Sequence, residues 1–209
     1  MNIKDFTMRW ATRSVRPATA AGLVLATLGA AACGSDYARQ GQSPSYLIMQ
    51  GLGGANCQET QFTPVLRSDV ITKGGVCEDN GQVSMSAAMH DVTNPNGPTS
   101  NNAITVNRYH VAYRRSDGRN TPGVDVPFDF DGAVTFTLSP GDVVDVPFSL
   151  VRAQAKLESP LMALRGGGNG VVISTIADVT FYGHDQAGRE SFVTGKISVN
   201  FADWADPDN

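Results

Sequence analysis

Residues 134–150, VTFTLSPGDVVDVPFSL, contain two alternating segments separated by a turn signal. Apolar side chains occupy every second position from Val134 to Leu138 and again from Val144 to Leu150, which is typical of strands with one buried face. The Ser-Pro-Gly-Asp sequence between the two segments favours a tight turn. This stretch therefore predicts two consecutive β-strands.

The same alternation recurs elsewhere in the chain. Residues 124–131 alternate Val and Phe with Asp and Pro, and the Asp131-Gly132 pair that ends this segment predicts a hairpin turn. A change of parity at Asn107 and Arg108 predicts either a bulge in another strand or a strand that is apolar on both faces. In all, the pattern predicts about eight strands, including segments at residues 45–50, 82–92, 103–115, 171–182 and 192–201.

The composition supports an all-β fold. The chain has 209 residues, of which 41% are hydrophobic and 17% are charged, and its 22 Gly and 11 Pro favour turns over long helices. Residues 153–164, which Pro160 interrupts, have room for only a turn or two of helix. These features predict an antiparallel two-sheet sandwich, with residues 45–209 forming a single domain.

Two of the predicted strand segments carry a resemblance to known modules. YHVAYRRSDG (109–118) and ISTIADVTFYGHD (173–185) resemble segments of bacterial immunoglobulin-like and fibronectin type III-like domains. The resemblance is one of pattern, spans residues 80–203, and implies an immunoglobulin-like sandwich. The Cys, Trp, Cys spacing of antibody domains is absent, because Trp204 lies outside the pair of cysteines at positions 57 and 77.

The first 32 residues have the features of a secretory signal peptide. Basic residues precede position 17, fifteen uncharged residues follow from Ala18 to Ala32, and small residues end the stretch. The uncharged run is shorter than the about 20 residues that a membrane-spanning helix needs. Met8 is an alternative start, since it would leave a compact basic region ahead of the apolar run.

Small residues directly followed by Cys33 resemble the lipobox of bacterial lipoproteins, although Ala30 stands where Leu is usual. The resemblance implies cleavage before Cys33, a diacylglyceryl group on its sulfur, and a fatty acid such as palmitate on the new amino terminus. Gly34, in place of Asp, implies an outer-membrane destination, and residues 33–44 are predicted to be a flexible tether. An ordinary signal peptide cut after Ala32, which would leave Cys33 as a free thiol, is the alternative.

Cys57 and Cys77 are the two remaining cysteines of a chain predicted to be exported. Because an exported compartment permits oxidation, we predict a disulfide that closes the segment 57–77 and contributes about 3 kcal/mol. A metal site, for which neighbouring His partners are lacking, and a pair of free thiols are the alternatives.

The charge distribution argues against a nucleic-acid partner. Residues 1–32 contain four basic and one acidic side chain, so residues 33–209 carry 12 basic and 19 acidic ones. The resulting net charge of −7 would repel phosphate backbones. A local basic cluster is expected to be a solvated strand end, or else a contact patch for an acidic partner. It consists of Arg108, Arg114, Arg115 and Arg119.

The mature chain contains no recognised catalytic motif. G-x-S-x-G and Ser-x-x-Lys are both absent after Cys33. His90 and His184 each precede an Asp, but neighbours along a strand point to opposite faces, so these Asp residues are poorly placed to orient the imidazoles. His110 is expected to be an ordinary strand residue. No cofactor and no enzymatic activity are predicted.

Asp125, Asp129 and Asp131 form the densest group of carboxylates, with Asp142 and Asp145 nearby. The predicted strand places the first three on one face, and Ca²⁺ accepts oxygen ligands of this kind. They are therefore the candidate calcium site, although the D-x-D-x-D-G spacing is missing. The alternative is that these carboxylates are solvated and keep a sheet edge from aggregating.

Together these features predict a non-enzymatic, lipid-anchored protein of the cell envelope. It is expected to bind or assemble with an envelope protein or a glycan through loops or an exposed sheet edge. The alternative is a carbohydrate-binding or adhesive surface domain assisted by calcium at the three aspartates. A small envelope hydrolase is the third and weakest hypothesis.

Overall fold

Eight β-strands form two facing sheets in the computed structural model, which describes residues 43–73, 75–93, 97–167 and 171–204. The predicted two-sheet sandwich is confirmed, and the architecture is consistent with an immunoglobulin-like domain. The predicted signal peptide (residues 1–32), Cys33 and all of the predicted tether except its last two residues lie outside the described residues. In the part of the chain that the structure describes, no helix has the length and apolar character needed to cross a membrane.

The strands follow one another with little helix between them. They are β1 (Ser45–Ala55), β2 (Val65–Asp69), β3 (Asp79–Met89), β4 (Ile104–Arg114), β5 (Phe130–Leu138), β6 (Val143–Val151), β7 (Ile173–Asp185) and β8 (Glu190–Ala202). A four-residue helix, α1 (Ala153–Lys156), and two single 3₁₀ turns, Ser100–Asn102 and Leu161–Leu164, complete the elements.

The three-stranded sheet has the order β1-β3-β6, and the five-stranded sheet has the order β2-β8-β7-β4-β5. Every neighbouring pair is antiparallel except β2 and β8, which run parallel. Strands β5 and β6 are consecutive in the chain but belong to different sheets. The turn at residues 139–142 therefore carries the chain from one layer of the sandwich to the other.

The alternation read from the sequence produces the core. Strand β6 buries Phe148 and Leu150, and strand β7 buries Val179 and Phe181. The rings of Phe148 and Phe181 meet edge to face across the sandwich, with centroids 5.3 Å apart. Side chains at the intervening positions of β7 point away from the core and build the opposite face of the five-stranded sheet.

The predicted hairpin at Asp131 and Gly132 is wrong. Residues 124–129 form a turn and an irregular segment, and Asp131 and Gly132 lie inside β5. Gly132 pairs with Tyr109 of β4, and a Cβ atom at position 132 would overlap the Tyr109 ring. The glycine therefore makes room for an aromatic side chain of the neighbouring strand instead of forming a turn.

The predicted disulfide between Cys57 and Cys77 is confirmed, with Cα atoms 6.1 Å apart. The segment that it closes contains a strand that the sequence did not predict, β2. This strand pairs in parallel with β8, from Val65 opposite Ser198 to Asp69 opposite Ala202. The disulfide therefore fixes a loop that supplies one strand of the five-stranded sheet.

The predicted bulge in β4 is also confirmed. The register with both neighbouring strands shifts between Val106 and Arg108. Val106 and Tyr109 are both buried, while Arg108 between them is exposed. The extra residue thus restores inward alternation on both sides of the bulge.

Candidate functional site

A groove of about 630 Å³ lies on the face of the five-stranded sheet that points away from the core. We call it the outer groove. Its volume falls within the range of about 300–1,000 Å³ that small-molecule sites occupy. The residues that line it are Asn107, Arg108, Tyr182, Gly183, His184, Gly188, Glu190, Ser191 and Phe192.

The register of three strands places the main side chains of the outer groove in one row. Phe192 of β8 lies opposite Tyr182 of β7, and Tyr182 lies opposite Arg108 of β4. Alternation sends Phe181 into the core and therefore turns Tyr182 outward. The bulge in β4 likewise lets Arg108 point outward while Tyr109 stays buried.

The side chains of this row stack on one another. The Arg108 guanidinium carbon lies 4.1 Å from the centroid of the Tyr182 ring, a cation–π contact. The Tyr182 and Phe192 rings have centroids 6.3 Å apart and are inclined by 36°. Asp131 of β5 holds the far side of Arg108, with Nη1 3.2 Å from Oδ1. The row and its ion pair thus form a continuous set of contacts across four neighbouring strands.

Phe192 is the exposed end of the row. It is 69% exposed although it lies within a long strand. A large aromatic side chain with this exposure forfeits the free energy of burial, about 1.5–3 kcal/mol. An exposed aromatic ring beside a second ring and an arginine has the composition of a binding hot spot.

Polar groups form the rim of the outer groove. The Nδ1 atom of His184 lies 3.1 Å from the backbone oxygen of Asp185. Since a carbonyl only accepts hydrogen bonds, Nδ1 is the donor, and the neutral ring offers Nε2 as an acceptor. Glu190 adds an exposed carboxylate and Asn107 an exposed amide. The rim therefore presents both donors and acceptors around an aromatic floor.

Phe192 and Tyr182 are not among the candidate residues predicted from the sequence, although their positions in the strand pattern carry a signal. The predicted strand 192–201 placed Ile197, Val199 and Phe201 on one face. Phe192 has the opposite parity, so it had to point to solvent if those three were buried. An aromatic residue at an outward position is the informative feature, because outward positions are usually polar.

The three histidines occupy different environments. His110 Nδ1 lies 3.3 Å from Asp131 Oδ1 on the outer face, and the His90 ring packs against Tyr46 with centroids 4.8 Å apart. His184 belongs to the rim of the outer groove. The carboxylate of the following residue, Asp185, turns inward to the β7–β8 turn, so the His184 ring contacts the backbone oxygen of Asp185 and not its carboxylate.

The structure does not bring Asp125, Asp129 and Asp131 together on one strand. Asp125 lies in a turn, where its Oδ2 accepts a hydrogen bond from the Thr121 backbone N–H at 3.2 Å. Asp131 is engaged with Arg108 and His110. Calcium binding by these residues stays a prediction from the sequence.

Among the described residues, one group of three metal-ligand types has its atoms within 4.8 Å of one another: Cys57, Cys77 and Asp79. The two cysteines of this group are joined in the disulfide. The carboxylate of Asp79 contacts the buried ammonium group of Lys156 at 2.8 Å. The two sulfur atoms of this cluster are thus engaged in the disulfide, and its carboxylate is engaged in the ion pair.

The basic cluster of the sequence is matched by acidic partners. Asp117 accepts hydrogen bonds from Arg115 and from Arg119, at 2.7 and 2.9 Å. Hydrogen bonds from Arg115 and from the Arg119 backbone lower the pKa of the Asp117 carboxyl to about 2. Arg114 pairs with Asp178 at 2.9 Å. Each arginine of the cluster thus has a carboxylate partner, with four guanidinium groups sharing three carboxylates.

No protein-family model and no curated protein sequence matches this chain. Solved structures with weak similarity to it include the following two. SoR45, a target of the Northeast Structural Genomics Consortium, has a TM-score of 0.36 at 10% identity, over 77% of this chain and 88% of its own. The sporulation control protein Spo0M from Bacillus subtilis has a TM-score of 0.25 at 13% identity, over 76% of this chain and 49% of its own. Similarities of this size assign neither a family nor a function to the chain.

Proposed function

We propose that this protein is a non-enzymatic, lipid-anchored binding or assembly module of the bacterial cell envelope, and that its binding surface is the outer groove. The observation that carries the proposal is the exposed Phe192 ring, which stands in a row with Tyr182 and Arg108. Interface hot spots are enriched in aromatic residues and arginine. A preordered row of such side chains reduces the entropy cost of binding.

The envelope location is supported by the amino-terminal sequence. The lipobox-like stretch that ends at Cys33 provides an acylation site, and several acyl chains anchor a protein stably where one does not. The Cys57–Cys77 disulfide is in keeping with an oxidising, exported compartment. Gly34 favours the outer membrane as the destination.

A binding role is favoured over catalysis by the contacts of the histidines. His110 is paired with Asp131, which also holds Arg108, and His90 is packed against Tyr46. A catalytic base needs a nucleophile or a substrate proton within hydrogen-bond reach. The rim histidine, His184, lies near Ser191, but its one hydrogen bond among the described residues is from Nδ1 to the Asp185 backbone oxygen.

The test is photo-crosslinking of the full-length lipoprotein in its native envelope. Gln186→p-benzoylphenylalanine places a benzophenone in the β7–β8 turn beside the outer groove, and this group reacts with C–H bonds of protein or glycan. We expect an adduct that disappears with Phe192→Ala. It should persist with Phe128→Ala, which removes a ring that is 50% exposed outside the groove. An adduct that forms equally with Phe192→Ala would refute the outer groove as the binding surface.

A further inference from the structure

We infer that the ligand of the outer groove is a neutral glycan. This inference rests on the proposed function, because it names the chemical class of the partner that occupies the same groove. Its basis is the combination of an open aromatic ring, a rim with mixed hydrogen-bonding groups, and a local balance of charge.

The aromatic floor suits the apolar face of a sugar ring. The face of an aromatic ring carries the negative part of its quadrupole and attracts partly positive C–H groups. Phe192 presents such a face at the open end of the row, while Arg108 already covers the Tyr182 ring at 4.1 Å. The free stacking surface is therefore at Phe192, and Tyr182 supports it from the neighbouring strand.

The rim suits hydroxyl groups. A hydroxyl both donates and accepts hydrogen bonds, so it is satisfied best where donors and acceptors alternate. The rim offers the Nε2 acceptor of His184, the carboxylate of Glu190 and the amide of Asn107. A groove of about 630 Å³ that is open along the sheet accommodates a short oligosaccharide.

The charges around the outer groove favour a neutral ligand over an acidic one. The Arg108 guanidinium is balanced by Asp131, and Glu190 adds a further negative charge at the rim. The predicted exported part of the chain also carries a net charge of −7. An acidic polysaccharide would therefore be repelled at long range, whereas a neutral glycan would not.

The test is a binding screen with the full-length lipoprotein in a detergent that has no sugar headgroup. The probes are β-1,4-linked oligomers of glucose and of N-acetylglucosamine as neutral glycans, with oligogalacturonate as the acidic arm. We expect binding to at least one neutral oligomer, measured by isothermal titration calorimetry. Phe192→Ala should weaken it by about tenfold or more, the loss typical of a hot-spot side chain, and Phe128→Ala should leave it unchanged.

Phe192 is largely exposed, so its removal should leave the fold intact, which far-ultraviolet circular dichroism of each variant would verify. Binding of the acidic arm alone, no binding to either neutral oligomer, or binding unaffected by Phe192→Ala would each overturn the inference. If the photo-crosslinked adduct depends on Phe192 while neither neutral oligomer binds, the glycan assignment fails and the proposed binding surface stands. If neither depends on Phe192, both fail.

Discussion

The ammonium group of Lys156 and the carboxylate of Asp79 are both fully removed from water and lie 2.8 Å apart. Burial raises the pKa of the Asp79 carboxyl, and the charge of Lys156 opposes that effect. Removing two charges from water costs several kcal/mol each, and their attraction repays this only when both partners are present. The ion pair joins α1, which follows β6 in the chain, to the start of β3. It therefore stabilises the packing of this connection against β3.

Lys156→Met is therefore expected to destabilise the protein by about 3–5 kcal/mol, because Asp79 would be left as a buried charge without a counter-ion. The free energy of unfolding in urea measures the loss. Adding Asp79→Leu to Lys156→Met should recover most of the stability, since no charge then remains to be buried. A single variant that unfolds at the same urea concentration as the parent protein would show that the pair does not hold the fold.

Asp185 ties the turn between β7 and β8 to the strands. Its carboxylate accepts hydrogen bonds from the backbone N–H groups of Ala187 and Arg189, both at 2.9 Å, and from Arg189 Nε at 2.7 Å. Burial raises the pKa of the carboxyl, but these hydrogen bonds outweigh it and the pKa is lowered. The folded state therefore holds the proton less tightly than the unfolded chain does.

It follows that this stabilisation is fully present above the unfolded pKa of about 4 and is lost as the pH falls through the lower folded pKa. Asp185→Asn should cost about 1.5–3 kcal/mol at pH 7 and much less at low pH. Urea unfolding at several pH values measures both effects. Asp145→Asn, at an exposed position in β6, serves as the control and should change stability little at any pH. A constant cost of Asp185→Asn across the pH range would contradict the assignment.

At the scale of the strands, the contact between Gly132 and Tyr109 joins three strands of the sandwich. The Tyr109 ring lies over Gly132 of β5, and its hydroxyl oxygen accepts a hydrogen bond from the Ser149 backbone N–H of β6 at 3.1 Å. Strand β6 belongs to the other sheet. The glycine thus lets one tyrosine bridge the two layers.

Gly132→Ala is expected to destabilise the protein by about 1–3 kcal/mol, because the added Cβ overlaps the Tyr109 ring and forces it or the strand to move. The matched control is Gly51→Ala in β1, where the nearest atom to the added Cβ is the Ser84 Cβ at an ordinary 3.7 Å. Thermal and urea unfolding of the two variants measures the difference. Equal stability of the two would show that the Tyr109 ring is not fixed against β5.

Local alternation of apolar residues predicts the strands whose inward-facing residues are all apolar. It does not predict a strand in which one of the inward-facing residues is polar. Strand β2 buries Leu66 but also Ser68, so five residues show no apolar alternation, and its parallel partner β8 lies more than a hundred residues away. The hairpin turn predicted at Asp131 and Gly132 is wrong for a related reason. Its environment is set by a tyrosine on a neighbouring strand, whereas turn statistics consider only adjacent residues.

The arrangement of the outer groove depends on the register between paired strands even more than Gly132 does. Each member of the row Phe192, Tyr182 and Arg108 has an outward parity that the sequence reveals. Their position in one row depends on two inter-strand registers and on the placement of the bulge in β4. A shift of one residue in any of these would turn a row member into the core or move it to another row. The outward orientation of the three residues can thus be predicted from the sequence, whereas their alignment into one site cannot.

At the scale of the whole molecule, the net charge of the domain determines how it interacts with a membrane surface. Residues 33–209 carry a net charge of −7, and an anionic membrane surface would repel them. The proposed attachment to a membrane would therefore rely on a covalent lipid rather than on the surface charge of the domain. We propose that the lipobox-like stretch ending at Cys33 supplies one.

Cys33→Ser is accordingly expected to abolish lipid attachment, so that the variant lacks the added acyl mass of the parent protein. Intact-mass measurement of the parent protein should show a chain that begins at Cys33 and carries added acyl groups, because cleavage at a lipobox follows modification of the cysteine. The control is the double variant Cys57→Ser/Cys77→Ser, which removes the disulfide but should leave the lipid and the membrane fractionation unchanged. If Cys33→Ser still carries acyl mass, or if the parent chain carries no lipid mass, the anchor is refuted. The binding surface at the outer groove would then have to act from a soluble exported domain.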